Sequence, residues 1–185
     1  MSSISDDGDT VPSAEELATY WSEESHYDPE WDGRGELAVG FLEESERAFC
    51  DIGCGARFSL KKFLPFGSQY YPADIRKWDS TVTVCDLNKG DIPIDLLKRC
   101  QVTFLLGVCE YLFDVETAVT VLSAHCPVLI VSYCSKDGPF ERWNMWVNAY
   151  TEAEFKKILA ASGYVVEHQI AYKPGQFIFR AVRRN

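Results

Sequence analysis

A glycine turn between an apolar segment and a helix-compatible segment is the feature that most constrains the fold of this chain. The turn follows the apolar residues 48–50, precedes segment 57–64, and reads Asp51-Ile52-Gly53-Cys54-Gly55. Glycine lets the backbone turn sharply, and its missing side chain lets a ligand approach the main chain closely. A strand, a glycine turn and a helix in this order predict a nucleotide-binding turn, with the acid available to a cationic or hydroxyl-bearing ligand.

The rest of the chain alternates between predicted strands and predicted helices. We predict strands at 47–52, 69–75, 81–86, 102–107, 127–133, 164–172 and 176–182, and helices at 13–25, 36–46, 57–64, 94–100, 114–125 and 151–162. Two of the helices begin with capping boxes, at Ser13/Glu16 and at Thr151/Glu154. Five strand–helix steps and a terminal hairpin predict a single-domain α/β fold. Its sheet is mostly parallel and seven-stranded, with an antiparallel C-terminal hairpin and helices on both faces.

The acidic composition narrows the class of partner. The chain has 185 residues, a formal net charge of −10 and a pI of about 4.8. Because a protein that follows nucleic-acid phosphates needs a basic face, we predict no nucleic-acid partner. No apolar run approaches the ~18 residues that span a bilayer, so we predict no membrane partner. Composition does not indicate the oligomeric state.

The seven cysteines indicate a reducing compartment. Their number is odd, no C-x-x-C pair occurs, and most lie in apolar runs where a free cysteine acts as a small hydrophobic residue. We therefore predict a cytoplasmic protein. Cys50 and Cys54 with His26 or His125 have no recognisable ligand spacing, so we predict no metal site.

Polar residues and glycines stand at the carboxyl ends of five of the predicted strands. In an open α/β sheet, ligands bind outside the carboxyl ends of the strands, where the strand order reverses. These residues are Asp51, Gly53 and Gly55 at the end of the first strand, Asp74 at the end of the second, Asp86-Leu87-Asn88 at the end of the third, 107–111 at the end of the fourth, and 132–133 at the end of the fifth. The sequence thus predicts one ligand site at this edge.

This pattern resembles the class I, Rossmann-like S-adenosylmethionine-dependent methyltransferases over residues 36–185. The resemblance implies that 47–185 is an S-adenosylmethionine-binding methyltransferase domain and that 13–46 is an N-terminal helical cover. The polar, acidic composition of the N-terminus predicts that 1–12 is a disordered tail. In the family, the glycine motif lines the methionine part of the cofactor, the second acid holds the ribose and the third-strand acid takes the adenine amino group. The implied cofactor residues are Asp51, Gly53, Cys54, Gly55, Arg57, Asp74, Ile75, Asp86, Leu87, Asn88, Gly107 and Val108.

Arg57 departs from the family pattern. Many members carry a third glycine two residues after the second, and this chain has arginine there. We therefore expect either altered binding of the methionine carboxylate or a direct contact between that carboxylate and Arg57.

The resemblance implies methyl transfer to oxygen or nitrogen, for which a base helps but is not obligatory. By position, the candidate catalytic residues are His26, Glu110 and Tyr133, and Tyr20 also qualifies. The acceptor is expected to be a small molecule, such as a sugar or an aromatic compound. Segment 135–150 supplies flat faces and amides for it, namely Trp143, Asn144, Trp146 and Asn148. The same tryptophans serve equally well as packing residues.

Three other functions remain open. A nicotinamide-dependent oxidoreductase also has glycines after its first strand, but it favours G-x-G-x-x-G, and Phe58 occupies the third position here. A non-catalytic module with the same fold would bind the cofactor or a protein without turnover. A protein-substrate methyltransferase would have a shallow acceptor groove in place of an enclosed pocket.

Overall fold

The structure, a computed structural model, describes residues 11–184 as one seven-stranded sheet covered by helices. The strand order is β3-β2-β1-β4-β5-β7-β6; β7 runs antiparallel to both neighbours, and the other pairs are parallel. The strands are β1 (Ala48–Ile52), β2 (Gln69–Asp74), β3 (Thr83–Val84), β4 (Val102–Leu105), β5 (Val128–Cys134), β6 (Tyr164–Lys173) and β7 (Gln176–Arg183). This confirms the predicted fold class.

Five α-helices surround the sheet: α1 (Ala14–Trp21), α2 (Trp31–Val39), α3 (Ile94–Leu97), α4 (Val115–His125) and α5 (Glu152–Ala161). Both capping boxes form, because the Ser13 and Thr151 side chains accept from the amides of Glu16 and Glu154. Within residues 11–184, no helix is long and apolar enough to cross a bilayer. All but the last two residues of the predicted disordered tail, 1–12, lie outside the described part.

Three local predictions were wrong. Segment 57–64 forms only the short 3₁₀ turn Ser59–Lys62, because Phe58 takes the left-handed conformation (φ 48°) and breaks the helix before it starts. The second helix lies at Trp31–Val39, not at 36–46, so part of the predicted loop 26–35 is helical. The third strand is only two residues long.

The two faces of the sheet bury separate apolar clusters. Cys50 and Ile52 face the larger cluster, which α4 and α5 cover, whereas Phe49 faces the smaller one together with Phe104 and α2. Strands β4 and β5 are buried along their whole length, as their continuous apolar sequence predicts.

A buried ion pair joins the segment before β1 to β7. Arg180 is 2% exposed and donates to both carboxylate oxygens of Glu46, at 3.1 and 2.9 Å, and to Glu43 at 3.1 Å. Glu46 is itself buried. A two-pronged contact of this kind fixes geometry as well as charge.

Removing the arginine should destabilise the protein strongly. Arg180→Ala leaves the Glu46 carboxylate buried without its partner, which should cost about 3–5 kcal/mol in the free energy of unfolding, measured by urea denaturation. Arg184→Ala, at an exposed position in the same chain segment, should change it by less than ~0.5 kcal/mol. A loss below ~1 kcal/mol for Arg180→Ala would contradict a structural role for the pair.

Candidate active site

A cavity of about 510 Å³ lies at the carboxyl ends of the parallel strands. Its floor comes from the segments that follow β1, β2, β3 and β4. Its roof is the cover, which consists of α1, the short turn Glu24–His26 and the start of α2. The strand order reverses between β1 and β4, so the cavity lies where open α/β sheets bind ligands.

The glycine turn fits closely between the two neighbours of β1. The Gly53 amide donates to the Ala73 carbonyl of β2 at 2.8 Å. On the other side, a Cβ at Gly53 would lie 2.4 Å from Cγ2 of Val108, and the φ of 79° also disfavours a side chain. Gly55 donates its amide to Oδ2 of Asp74 at 2.8 Å. Glycine is therefore required at position 53 by both space and backbone conformation.

Two buried acids stand at the ends of β1 and β2. Asp51 is 4% exposed and accepts from the Tyr70 hydroxyl at 2.6 Å. Burial raises the pKa of Asp51 to about 7, and nearby Asp74 adds to this while Tyr70 and Arg34 oppose it. Burial also raises the pKa of Asp74, against the hydrogen bond from Gly55. This end of the cavity therefore attracts positive charge.

The segment after β3 is a turn that side-chain contacts of Asp86 hold in place. Oδ1 of Asp86 accepts from the Asn88 amide at 3.1 Å, and Oδ2 pairs with Lys89 at 2.9 Å. The Asn88 side chain donates to the Tyr111 carbonyl and accepts from the Phe113 amide, so it ties this turn to the segment after β4. Asp86, Asn88 and Tyr111 line the cavity. Ile75, Cys85 and Leu87 line it as well.

The segment after β4 brings Gly107, Val108 and Glu110 to the cavity. The Gly107 amide donates to the Ser132 hydroxyl at 2.8 Å. Glu110 is 2% exposed, and its Oε1 accepts from the Cys134 amide at 2.8 Å. Its other carboxylate oxygen, Oε2, is buried without a hydrogen-bond partner among the described residues. A buried carboxylate oxygen left in this state is ready to accept from a ligand.

Arg34 is a site residue that the sequence reasoning missed. Its guanidinium lies over Gly107, where a Cβ would be 2.6 Å from Nη1, and reaches the Leu106 carbonyl at 3.5 Å. Its Nε is buried, with no partner in the part of the chain that the structure covers. The predicted start of the second helix at 36 left this residue in a loop and hid its orientation.

Arg57 also lines the cavity, but its charge is engaged by the cover. Its Nε is 3.1 Å from the Glu24 carboxylate, its guanidinium lies over the Tyr27 ring, and 56% of its side chain is exposed. Cys54 is a buried thiol on the cavity wall, and burial raises its pKa.

The other two candidate catalytic residues differ in position. His26 lines the cavity, stacks on Tyr20 at 3.6 Å between ring centres, and places Nδ1 2.7 Å from the Tyr20 carbonyl. Since a carbonyl only accepts, Nδ1 carries a proton, and Nε2 lies 3.8 Å from the Glu23 carboxylate. Tyr133 lies outside this cavity: its hydroxyl donates to Asn148, accepts from the Tyr150 amide, and the ring stacks on Phe155.

An aromatic wall closes the cavity under the cover. Trp21 is its centre, with ring centroids 5.1 Å from Tyr20, 4.9 Å from Tyr111 and 5.7 Å from Trp143. The indole nitrogen of Trp21 is buried and has no partner within residues 11–184. Of the polar residues expected here, Asn148 instead binds the carbonyls of Cys109 and Leu112, and Asn144 is not on the cavity wall.

The described residues contain no cluster of three or more His, Cys, Asp or Glu side chains arranged for a metal ion.

Solved structures match this chain in fold. ChlM, the magnesium protoporphyrin IX methyltransferase of Synechocystis PCC 6803, crystallised with bound SAH, is 18% identical, with a TM-score of 0.65 over 84% of each chain. A chain of the Haloferax volcanii complex between the Trm112 methyltransferase activator and a putative methyltransferase is 12% identical, with a TM-score of 0.72 over 93% of this chain and 97% of that one. The small RNA methyltransferase HEN1 is 18% identical, with a TM-score of 0.61 over 82% of this chain and 25% of that one.

No family model matches the sequence, and no curated protein matches it. The chain has the fold of the class I S-adenosylmethionine-dependent methyltransferases.

The raised pKa of Asp51 predicts a pH-dependent stability cost. Between pH 3.8 and about 7 the folded protein binds the proton more tightly than the unfolded chain, so this residue lowers stability as pH rises through that range. Asp51→Asn should therefore stabilise the protein at pH 8, by up to about 4 kcal/mol, with the difference vanishing near pH 4.

The measurement is urea unfolding of both proteins from pH 4 to pH 8. Asp95→Asn, at an exposed acid, should follow the wild-type curve. A constant offset between Asp51→Asn and wild type at all pH values would contradict the assigned titration.

Proposed function

We propose that this protein is an S-adenosylmethionine-dependent methyltransferase that acts on a small-molecule acceptor. The observation that carries the proposal is the meeting of a glycine turn and three strand-end acids around one covered cavity. The acids are Asp51, Asp74 and Asp86. They follow the first, second and third strands of a class I methyltransferase fold, and each lines the cavity wall.

The cavity residues fit the parts of the cofactor in turn. Asp86 and Leu87, with Ile75, suit the adenine; Asp74 suits the ribose hydroxyls. Asp51 offers a buried carboxylate to the methionine ammonium, and that cation would favour its ionised form.

The methionine carboxylate needs a cation, and we assign it to Arg34 in preference to Arg57. Arg34 lies over Gly107 with a buried nitrogen that has no partner among the described residues, whereas Arg57 already pairs with Glu24. Because an unpaired buried charge is costly, a carboxylate at Arg34 gains more than one at an exposed, paired arginine. In this proposal Arg34, and not Arg57, contacts the methionine carboxylate.

The bound cofactor supplies an activated methyl group on a sulfonium, so the protein need only orient the reactants, exclude water and handle a proton. The cover and the aromatic wall exclude water. His26 lines the cavity, and the Nε2 of its neutral form is the proposed proton acceptor. Tyr133 has no part in this proposal, because both hydrogen-bonding capacities of its hydroxyl are used in packing segment 135–150.

A small acceptor is supported by the roof over the cavity and by charge. Trp21, on α1 of the cover, packs against Tyr111 and Trp143, so the cover roofs part of the cavity. The net charge of −10 opposes nucleic acid, and the seven buried free thiols suit a reducing compartment such as the cytoplasm.

Calorimetric titration with three adenosine ligands tests the proposal. We expect S-adenosylhomocysteine to bind the wild-type protein, and NAD not to bind. Arg34→Gln should weaken S-adenosylhomocysteine by ~10- to 100-fold, because a charged hydrogen bond to its carboxylate is lost. The same variant should leave 5′-methylthioadenosine, which lacks the amino-acid part, within about threefold of wild type.

Arg57→Gln is the matched control, since it removes a second cavity-lining arginine and should change neither affinity by more than about threefold. Failure of wild type to bind S-adenosylhomocysteine would refute the cofactor assignment. An equal loss for both ligands in Arg34→Gln would refute only the role of Arg34.

A further inference from the structure

We infer that the acceptor is an aromatic or heteroaromatic amine, held between the Glu110 carboxylate and the Trp21 indole N–H. The inference rests on the proposed methyl transfer and names the substrate class of the same cavity.

The first argument is the pair of buried polar atoms that residues 11–184 leave without partners. Oε2 of Glu110 can only accept and Nε1 of Trp21 can only donate, and both residues line the cavity. Leaving such groups without hydrogen bonds costs free energy. A molecule that donates at one end and accepts at the other would form a hydrogen bond with each of them. The third such atom on the cavity wall, Nε of Arg34, is assigned to the cofactor carboxylate.

The second argument is the shape of the wall around these atoms. Trp21 stands edge-on to Tyr111 and Trp143, with interplanar angles of 66° and 81°. Trp146 donates to the Tyr111 hydroxyl at 3.3 Å, which fixes that ring. Rigid aromatic faces with a few fixed polar atoms suit a flat ring, whose burial supplies affinity while the polar atoms set its orientation.

The third argument is the sign of the charge that develops during transfer. With Asp51, Asp74 and Arg34 assigned to the cofactor, Glu110 is the buried acid left on the cavity wall for the acceptor. The cavity-lining cations Arg57 and Lys173 pair with Glu24 and Glu30. Carboxylates and aromatic faces stabilise a cation and disfavour an anion. A neutral amine becomes positive as it takes the methyl group, whereas a hydroxyl must shed its proton toward an anion. The cavity therefore favours nitrogen over oxygen.

The step balances without any further reactant. The lone pair of the amine nitrogen forms the N–CH₃ bond, and the C–S bond breaks with its electron pair remaining on sulfur. The products are S-adenosylhomocysteine and a methylated ammonium, which then loses its N–H proton to His26, the proton acceptor of the proposed function.

Matched acceptor pairs test the inference on the full chain with S-adenosylmethionine. The pairs are 4-aminoacetophenone and 4-hydroxyacetophenone, 4-aminobenzamide and 4-hydroxybenzamide, and 6-aminoquinoline and 6-hydroxyquinoline, whose carbonyl oxygen or ring nitrogen can accept from the Trp21 N–H, with products identified by mass spectrometry. We expect an N-methyl product from at least one amine, formed ten times faster or more than the O-methyl product of its partner.

Glu110→Gln keeps the acceptor for the Cys134 amide and removes the charge. It should slow N-methylation at least tenfold while leaving the affinity for S-adenosylhomocysteine within threefold. Glu116→Gln, an exposed acid on α4, should behave as wild type. Trp21→Phe keeps an aromatic ring at this position but removes the N–H. It should weaken binding of the preferred amine tenfold. This variant keeps the inference testable if Glu110→Gln does not fold.

Faster methylation of a hydroxyl partner, an unchanged rate in Glu110→Gln, or no reaction with any amine would each overturn the inference. If S-adenosylhomocysteine still binds in the same preparation, the proposed methyltransferase function survives. If it does not bind, the proposed function itself has failed.

Discussion

The placement of the glycine turn between β2 and β4 is the constraint on which the rest of the site depends. Gly53 donates to the carbonyl of Ala73 on one side and lies against Val108 on the other, with no room for a side chain. Gly55 in turn holds the Asp74 carboxylate. Because the strand order reverses at this point, the turn opens a cavity that the cover then closes.

The same arrangement sets a conflict between stability and function. Asp51 and Glu110 are buried carboxylates whose hydrogen bonds do not fully compensate for the loss of water. The pKa of Asp51 is raised, and one carboxylate oxygen of Glu110 has no hydrogen-bond partner among the described residues. Such groups cost stability until a ligand completes them. In the Arg180–Glu46 pair, by contrast, both carboxylate oxygens accept a hydrogen bond, and the pair anchors the segment before β1 to β7.

Local chemistry made much of this structure predictable. The capping residues Ser13 and Thr151 indicate where helices α1 and α5 begin. The glycine turn and the strand-end acids identify the edge of the sheet where the cavity lies. Where local signals are weak, the predictions failed. Helix α2 begins without a side-chain cap and contains Gly33 and Gly35, so it reads as a loop.

The role of α2 is tertiary, and this explains why Arg34 could not be recognised. Helix α2 approaches the Ser59–Lys62 turn closely, with Gly35 facing the backbone of Leu60. That approach places Arg34 over Gly107, 73 positions away in the chain. The position of Tyr133 outside the cavity could not be predicted for a similar reason, because the path of segment 135–150 that engages its hydroxyl is not encoded in any local motif.

Amide hydrogen exchange with and without S-adenosylhomocysteine tests the central claim most directly. If the strand-edge cavity is the cofactor site, the ligand should slow exchange in 53–57, 74–76, 86–88 and 106–111 and in the cover, and leave residues 164–170 of β6, which do not line the cavity, unchanged. Protection confined to other regions, or none at saturating ligand, would contradict the account.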